Sequence, residues 1–289
     1  TDLKGLTISE NVKTLEPYAF YMAYSVEEFI VPETVTSIGE GTFKDTQPKK
    51  VELKARLKEL PASAFEHCSA ETIILPDSIE VFGEKLFFQC QNLKELKFPA
   101  SLSSIKPFAF LEMNGNIVSD SPNFKIEDGA VYSADGKTLV WYPGFNGIPE
   151  NQENVYHVSD TVENIADYAI NCYNMTELYL PAGLKSVGDD YSFGFSIRSL
   201  GSDTETKLQA KLLVYGPDNK EIIDYAKKTE VPYFTGKPEM SMTSVSLKGD
   251  ETAQVTLLNA PADCVSYSCF DENIATVDEK GVITAHQKG

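Results

Sequence analysis

The sequence predicts a solenoid, a stack of short coils with a parallel β-sheet along one edge and tight turns or short helices along the other. Three observations lead to this fold class. An apolar residue returns every 22 or 23 residues, a second one precedes it by five positions, and short apolar–polar alternations precede both. Periods of this length are typical of repeats that pack on their neighbours, so we expect a recognition scaffold. The recurring residues are Phe20, Phe43, Phe65, Phe87, Phe110, Ile170 and, one residue out of step, Phe193.

Each repeat is predicted to begin with a short strand. Counting from the residue at which the strand ends, positions −3 and −1 are apolar almost throughout, which indicates one buried face. Proline, which has no backbone N–H, ends the strand in four repeats. These prolines are Pro32, Pro76, Pro99 and Pro181. Seven such strands in parallel predict a single sheet about 30 Å long.

The opposite edge of each coil is predicted to turn around the recurring apolar residue. Gly39, Gly83 and Gly188 stand in equivalent positions, where we expect them to supply backbone freedom for the turn. Cys68 and Cys90 each follow a recurring Phe by three residues, so they should be neighbours about 4.8 Å apart. A disulfide fits that distance, but a column of small buried thiols is favoured.

The repeat is interrupted by a predicted β-hairpin insert at about 114–154. Within it, Asp135-Gly136 predicts a type I′ turn that places Tyr132 opposite Leu139 and Ala130 opposite Trp141. Trp141, the only tryptophan, is expected to pack the hairpin onto the solenoid. An exposed Trp141 ring that contacts a ligand is the alternative.

Two further segments follow the repeats. A last strand within Leu212–Pro217 and a helix from Asn219 to Lys228 predict a C-terminal cap at about 211–235, since a solenoid end needs protection from further stacking. Residues 240–289 change to short strands at intervals of roughly 8–12 residues, which predict a small, incomplete β-sandwich.

Segments of the sequence resemble two known families. The segment 30–43, Ile-Val-Pro-Glu-Thr-Val-Thr-Ser-Ile-Gly-Glu-Gly-Thr-Phe, and the segment 74–87 resemble BspA-type leucine-rich repeats of bacterial surface proteins. The resemblance covers about 3–235 and implies a leucine-rich repeat solenoid over 1–236, secretion, and adhesion to host or bacterial macromolecules. Residues 267–285 resemble bacterial immunoglobulin-like group 2 domains, which act as spacers. The resemblance therefore implies an extracellular or cell-surface protein whose signal and anchor segments lie outside this chain.

Composition and motifs narrow the functional classes. The net charge of −18 argues against a nucleic-acid partner, because phosphate binding needs clustered Lys and Arg. The sequence contains no run of about 18 apolar residues, so we expect no helix that inserts into a membrane. No catalytic motif and no spaced set of metal ligands is found, so we expect neither an enzyme nor a cofactor.

The candidate ligand site is the exposed face of the predicted sheet, at positions −4 and −2. Three apolar side chains, Ile30, Ile74 and Tyr179, would anchor a host or bacterial surface protein or glycan, and mixed charges would give selectivity. The remaining predicted contacts are Lys50, Glu52, Glu95 and Lys97. A solvated face with cross-strand charge pairs is the alternative for the site. A structural spacer or self-assembling surface element is the alternative for the function, and the sequence leaves the oligomeric state open.

Overall fold

The computed structural model describes residues 6–143, 154–170, 175–188, 212–229, 231–236, 238–259 and 265–287. The chain forms two compact units. The first comprises 1–152, 161–174 and 186–205, and the second comprises 153–160, 175–185 and 206–289. Phe193, the last of the recurring apolar residues, lies outside the described residues.

The first unit contains a parallel sheet of six strands, one per coil. In spatial order they are β1 (Leu6–Thr7), β3 (Glu28–Val31), β5 (Lys50–Leu53), β7 (Thr72–Ile74), β9 (Glu95–Phe98) and β11 (Asn116–Ser119). After each of the first five strands the chain forms a two-residue strand that pairs in parallel with its equivalent in a neighbouring coil. These are β2 (Thr14–Leu15), β4 (Ser37–Ile38), β6 (Glu59–Leu60), β8 (Val81–Phe82) and β10 (Ser104–Ile105). The predicted stacking of coils is therefore confirmed.

A column of phenylalanine rings forms the centre of this unit. Phe43 and Phe65 stack with ring centroids 5.3 Å apart, and Phe65 and Phe87 stack at 5.5 Å. Phe20 and Phe110 extend the column at 5.5 and 6.2 Å. Since one ring per coil contacts the rings of the coils on either side, no coil can bury its apolar face alone.

The opposite edge consists of turns, and the reason predicted for its glycines is wrong. Gly39 and Gly83 do not have positive φ angles. A Cβ atom on Gly83 would lie 2.6 Å from the backbone oxygen of Leu60, so close approach of the neighbouring coil requires glycine there. The left-handed conformations fall instead on residues such as Ser63 (φ 56°) and His67 (φ 56°).

Hydrogen bonds between coils hold these left-handed residues in place. The backbone N–H groups of Ser63, Phe65 and His67 donate to the carbonyl oxygens of Glu84, Leu86 and Phe88 in the next coil, at 2.8–3.0 Å. A non-glycine residue at positive φ costs roughly 1–2 kcal/mol, so the turn conformation depends on this ladder.

The predicted insert differs from the structure in three respects. It begins later than residue 114, because β11 is a regular strand of the six-stranded sheet. The turn is not type I′, because of its two central residues, Asp135 and Gly136, only Gly136 has a positive φ angle. The Gly136 N–H donates to the carbonyl oxygen of Ser133 at 2.8 Å, as in a hairpin with a glycine bulge. Tyr132 lies opposite Leu139 as predicted, but a register shift places Val131, not Ala130, opposite Trp141.

The insert belongs to a five-stranded sheet of the first unit. Three of its strands are antiparallel neighbours: β12 (Phe124–Glu127), β13 (Ala130–Ser133) and β14 (Thr138–Trp141). The sheet then continues in parallel through β16 (Asn164–Ile165) and β18 (Ser186–Val187).

The second unit has its own four-stranded parallel sheet, so the prediction of one sheet for all repeats is wrong. Its strands are β15 (Asn154–His157), β17 (Met175–Tyr179), β19 (Leu213–Tyr215) and β20 (Tyr233–Phe234). The single helix of the described residues, α1 (Lys220–Lys228), connects the last two strands. The Asn219 side chain caps this helix by accepting from the N–H of Glu221. The last strand of the sheet is thus β20, one strand later than predicted.

Residues 238–287 of the second unit form two small antiparallel sheets. One pairs β21 (Glu239–Met240) with β23 (Leu257–Leu258), and the other contains β22 (Thr252–Gln254), β25 (Val282–Ala285) and β24 (Ala275–Val277). Strands predicted at 244–247 and 265–268 are not formed. Among the described residues of this segment, Ala285 is the one buried apolar side chain, so the predicted β-sandwich is not confirmed.

Candidate functional site

Six of the seven predicted sheet-face residues lie on one sheet of the first unit. In β3 the side chains of Phe29 and Val31 are fully buried, whereas Ile30 between them is 36% exposed. The same alternation in β7 leaves the side chain of Ile74 43% exposed. Lys50, Glu52, Glu95 and Lys97 occupy outward positions of the same sheet.

The outward side chains form two rows across the strands. The first, here named the outer row, contains Ile30, Glu52, Ile74, Lys97 and Val118. The second contains Glu28, Lys50, Thr72, Glu95 and Asn116. Lys50 thus lies beside Glu28, and Ile74 lies beside Glu52. Apolar and charged residues therefore alternate along the outer row.

Ion pairs connect several of the charged residues on this face. The Lys50 Nζ atom lies 2.8 Å from a Glu52 carboxylate oxygen and 3.0 Å from one of Glu28. These hydrogen bonds, first to Glu52 and then to Glu28, raise the pKa of Lys50, and the bond from Lys50 lowers the pKa of Glu52. Lys97 pairs with Asp120 at 2.6 Å. Exposed pairs contribute little to stability, so these charges are available to influence partner selectivity.

Two open grooves border the isoleucines of the outer row. The groove beside Ile30 has a volume of about 570 Å³, and its charged lining residues are Glu10, Glu28, Glu33 and Lys54. The groove beside Ile74 has a volume of about 340 Å³, with Glu71, Asp77, Glu95, Lys94 and Lys97 as charged lining residues. Acidic groups outnumber basic groups in both.

Tyr179, the seventh predicted residue, lies in a different sheet, the four-stranded sheet of the second unit. Its ring stacks between His157 and Tyr215, with centroid distances of 4.3 and 4.7 Å. Its hydroxyl donates to Glu177 at 2.7 Å, and this bond, aided by burial, raises the pKa of Tyr179 to about 12. Tyr179 is thus part of an aromatic stack within its own unit.

Trp141 does not have the exposed ring that the second predicted site requires. Its side chain is 9% exposed, and its ring packs edge-on against Phe110 with centroids 5.5 Å apart. Trp141 is therefore not the exposed ligand contact of the alternative prediction, and the predicted packing of the hairpin onto the solenoid is observed, at the coil of Phe110.

Sequence reasoning missed two exposed apolar features. Val118, 39% exposed, ends the outer row on a strand that was not predicted. The first coil also exposes a cluster, here named the tyrosine patch, that contains Tyr18, Tyr21, Met22 and Tyr24. An alignment of the repeats with one another would have found it, because the next coil carries Gly41, Lys44 and Asp45 where the first carries Tyr18, Tyr21 and Met22.

Two neighbouring thiols, Cys68 and Cys90, and the adjacent His67 are the sequence features nearest to a nucleophile and its base. Cys68 and Cys90 are free and buried, as the predicted thiol column requires. Burial raises the pKa of both thiols and so disfavours the thiolate form that a nucleophile uses. The adjacent His67 instead contacts Asp45 at 2.9 Å.

Metal binding and membrane insertion would each need a recognisable feature in the described part of the chain. No group of three or more His, Cys, Asp or Glu side chains there could hold a metal ion. Among the described residues, none of the helical structure is long and apolar enough to cross a bilayer.

Coils of 22 or 23 residues, each with one strand in a parallel sheet, define the class of leucine-rich repeat solenoids. The chain belongs to the BspA-type leucine-rich repeat family. The model of the BspA type leucine rich repeat region matches it in six copies, over residues 2–133 and 145–208. A comparison with curated proteins finds no match.

Three solved structures are similar to parts of the chain. A leucine-rich repeat protein from Eubacterium ventriosum is 20% identical, with 62% of this chain and 54% of that one covered and a TM-score of 0.48. The pneumococcal vaccine antigen PcpA is 20% identical, with 65% and 56% covered and a TM-score of 0.49. A leucine rich cell surface protein from Faecalibacterium prausnitzii is 21% identical, with 63% of each chain covered and a TM-score of 0.38. The chain thus spans little more than half the length of the first two.

Proposed function

We propose that this protein is a non-catalytic recognition protein of the bacterial surface, and that the outer row binds a protein or glycan partner. The observation that carries the proposal is the exposure of Ile30, Ile74 and Val118 in one row, with an open groove beside each isoleucine. Regularly spaced apolar side chains on a solvent-facing sheet favour contact with a partner, whereas a merely solvated face would carry polar residues there.

We propose a location at the cell surface because the chain belongs to the BspA-type family, and a resemblance to that family implies secretion. Residues 240–289 are proposed to act as an immunoglobulin-like spacer. The antiparallel strands β22, β25 and β24 support this role, because short antiparallel sheets are the building elements of such modules.

The double substitution Ile30→Asp and Ile74→Asp tests the proposed site. We expect it to weaken binding to the true partner about 100-fold, because two anchors worth about 1.4 kcal/mol each correspond to that factor. Thermal unfolding should change little, since both side chains are exposed. The measurement is a binding screen of the unaltered protein and the double variant on arrays of extracellular matrix proteins, bacterial surface proteins and glycans.

A matched control for that screen is Val245→Asp combined with Met240→Asp. Both residues are exposed apolar side chains that lie outside the six-stranded sheet. This variant should bind as the unaltered protein does. If the Ile30/Ile74 variant binds the partner as tightly as the unaltered protein does, the proposal is contradicted and the binding surface lies elsewhere.

Self-assembly is the second candidate function, and the tyrosine patch favours it. Tyr18 and Tyr21 pack edge-to-face at 5.9 Å, and both are exposed beside Met22 and Tyr24. Aromatic and methionine side chains are enriched in protein interfaces. Sedimentation velocity over a range of concentrations distinguishes the two functions: self-association that is lost on Tyr21→Ser and Tyr24→Ser substitution would support assembly.

A further inference from the structure

We infer that the occupant of the outer row is an extended peptide in the polyproline II conformation, with an apolar residue at every third position and a cationic residue in each triplet. This inference rests on the proposed function and names the chemistry of its partner. It depends on two observations, the spacing of the exposed apolar residues and the charge of the grooves beside them.

The spacing follows from the register of the sheet. Ile30, Ile74 and Val118 lie on β3, β7 and β11, which are alternate strands of the sheet. Neighbouring strands lie about 4.8 Å apart, so successive apolar side chains are about 9.6 Å apart along a line that crosses the strands. The intervening positions carry Glu52 and Lys97.

A polyproline II peptide laid along that line matches this spacing. It rises about 3.1 Å per residue with three residues per turn, so every third side chain points the same way at intervals of about 9.3 Å. Over the two intervals from Ile30 to Val118 the accumulated mismatch is about 0.6 Å. A β-strand presents side chains on one face every ~6.7 Å and falls out of register at once.

An α-helix matches less well. Its side chains return to one face after seven residues, or about 10.5 Å, so the mismatch over the same two intervals is about 1.8 Å. A polyproline II peptide also has no internal hydrogen bonds to break and little conformational entropy to lose on binding. Spacing and entropy therefore both favour it over the helix.

The groove carboxylates select a cationic peptide. Among the described residues, Lys94 pairs with Glu71, Lys97 with Asp120, and Lys54 with Glu52. Four other lining carboxylates, Glu10, Glu33, Asp77 and Glu95, have no ion pair within 4.0 Å among the described residues, and of these Asp77 and Glu95 interact with Lys97 only at longer range. Glu33 directly follows Pro32, and Asp77 directly follows Pro76, so these two carboxylates occupy equivalent positions two coils apart. One cation per triplet can therefore reach an acidic group beside each isoleucine.

The direct test is a titration of the full chain with a peptide of four Leu-Pro-Lys triplets, capped at both ends and followed by fluorescence anisotropy. Proline in each triplet restricts the peptide to the extended conformation. Three comparison peptides separate the features. Repeats of Leu-Pro-Pro-Lys keep the conformation but change the period, repeats of Leu-Pro-Glu keep the period but reverse the charge, and a helical peptide carries Leu and Lys at seven-residue intervals.

We expect saturable binding of the Leu-Pro-Lys peptide. The Leu-Pro-Pro-Lys peptide and the helical peptide should each bind at least tenfold more weakly. The Leu-Pro-Glu peptide should not bind. Ile74→Asp and Asp77→Lys should each weaken the Leu-Pro-Lys complex at least tenfold. Val245→Asp, which changes an equally exposed residue outside the sheet, should leave it unaltered.

Equal affinity for the two periods would overturn the inference, because charge alone would then explain binding. Tighter binding of the helical peptide, or no saturation by the Leu-Pro-Lys peptide, would overturn it as well. The proposed function fails separately. An array partner that is lost on the Ile30/Ile74 substitution, combined with no binding of the triplet peptide, would leave the recognition site in place and reject its polyproline II occupant.

Discussion

Truncation of one ring of the phenylalanine column, Phe65→Ala, is expected to lower the free energy of unfolding by about 3–5 kcal/mol. Phe65 is fully buried between Phe43 and Phe87, with which its centroid distances are 5.3 and 5.5 Å. The coils on either side are held by their own hydrogen-bond ladders and cannot collapse into the space that the ring leaves. The loss therefore includes a cavity term as well as the transfer of the ring. Urea denaturation followed by circular dichroism measures it.

Phe270→Ala is the matched control, because the Phe270 ring is fully exposed. Its free energy of unfolding should stay within about 0.5 kcal/mol of the unaltered value. A loss below about 1 kcal/mol for Phe65→Ala would show that the rings do not form a continuous packed column.

Two adjacent isoleucines of β7 should respond in opposite ways to the same substitution. Ile73 is 5% exposed and faces the core, whereas Ile74 is 43% exposed and belongs to the outer row. Ile73→Asp buries a carboxylate without a partner and is expected to lower the free energy of unfolding by more than about 4 kcal/mol. Ile74→Asp should change it by no more than about 0.5 kcal/mol while weakening partner binding.

Differential scanning calorimetry of the two variants measures this contrast. Because the chemical change is identical and the positions are neighbours, their difference reports only which face each side chain occupies. Equal stability of the two variants, or greater damage from Ile74→Asp, would contradict the assigned faces of the sheet and with them the location of the outer row.

Features that repeat could be predicted from the sequence, because each coil meets the same neighbours as the next. The recurrence of Phe43, Phe65 and Phe87 defines the column, and the alternation around Ile30 and Ile74 defines the outward face. Strand β11 was missed because Ser119 stands where other coils have a buried apolar residue, and Val118 was missed with it.

Features that depend on contacts between distant residues could not be predicted. The left-handed turn residues are held by hydrogen bonds to the next coil, and Gly83 is required by the approach of Leu60; neither contact leaves a local pattern. The register shift between Val131 and Tyr132 changes the hairpin pairing beyond the point that the turn fixes. The packing of Trp141 onto the solenoid was predicted, but its particular contact with Phe110, which is distant in sequence, was not.

Carbene footprinting of the full chain, with and without the partner recovered from the array, tests the recognition surface most directly. Mass spectrometry would report how strongly each exposed side chain is labelled. The account predicts severalfold lower labelling at Ile30, Ile74 and Val118 in the complex, with unchanged labelling of the tyrosine patch. Protection confined to the tyrosine patch, with the outer row labelled as in the free protein, would contradict it.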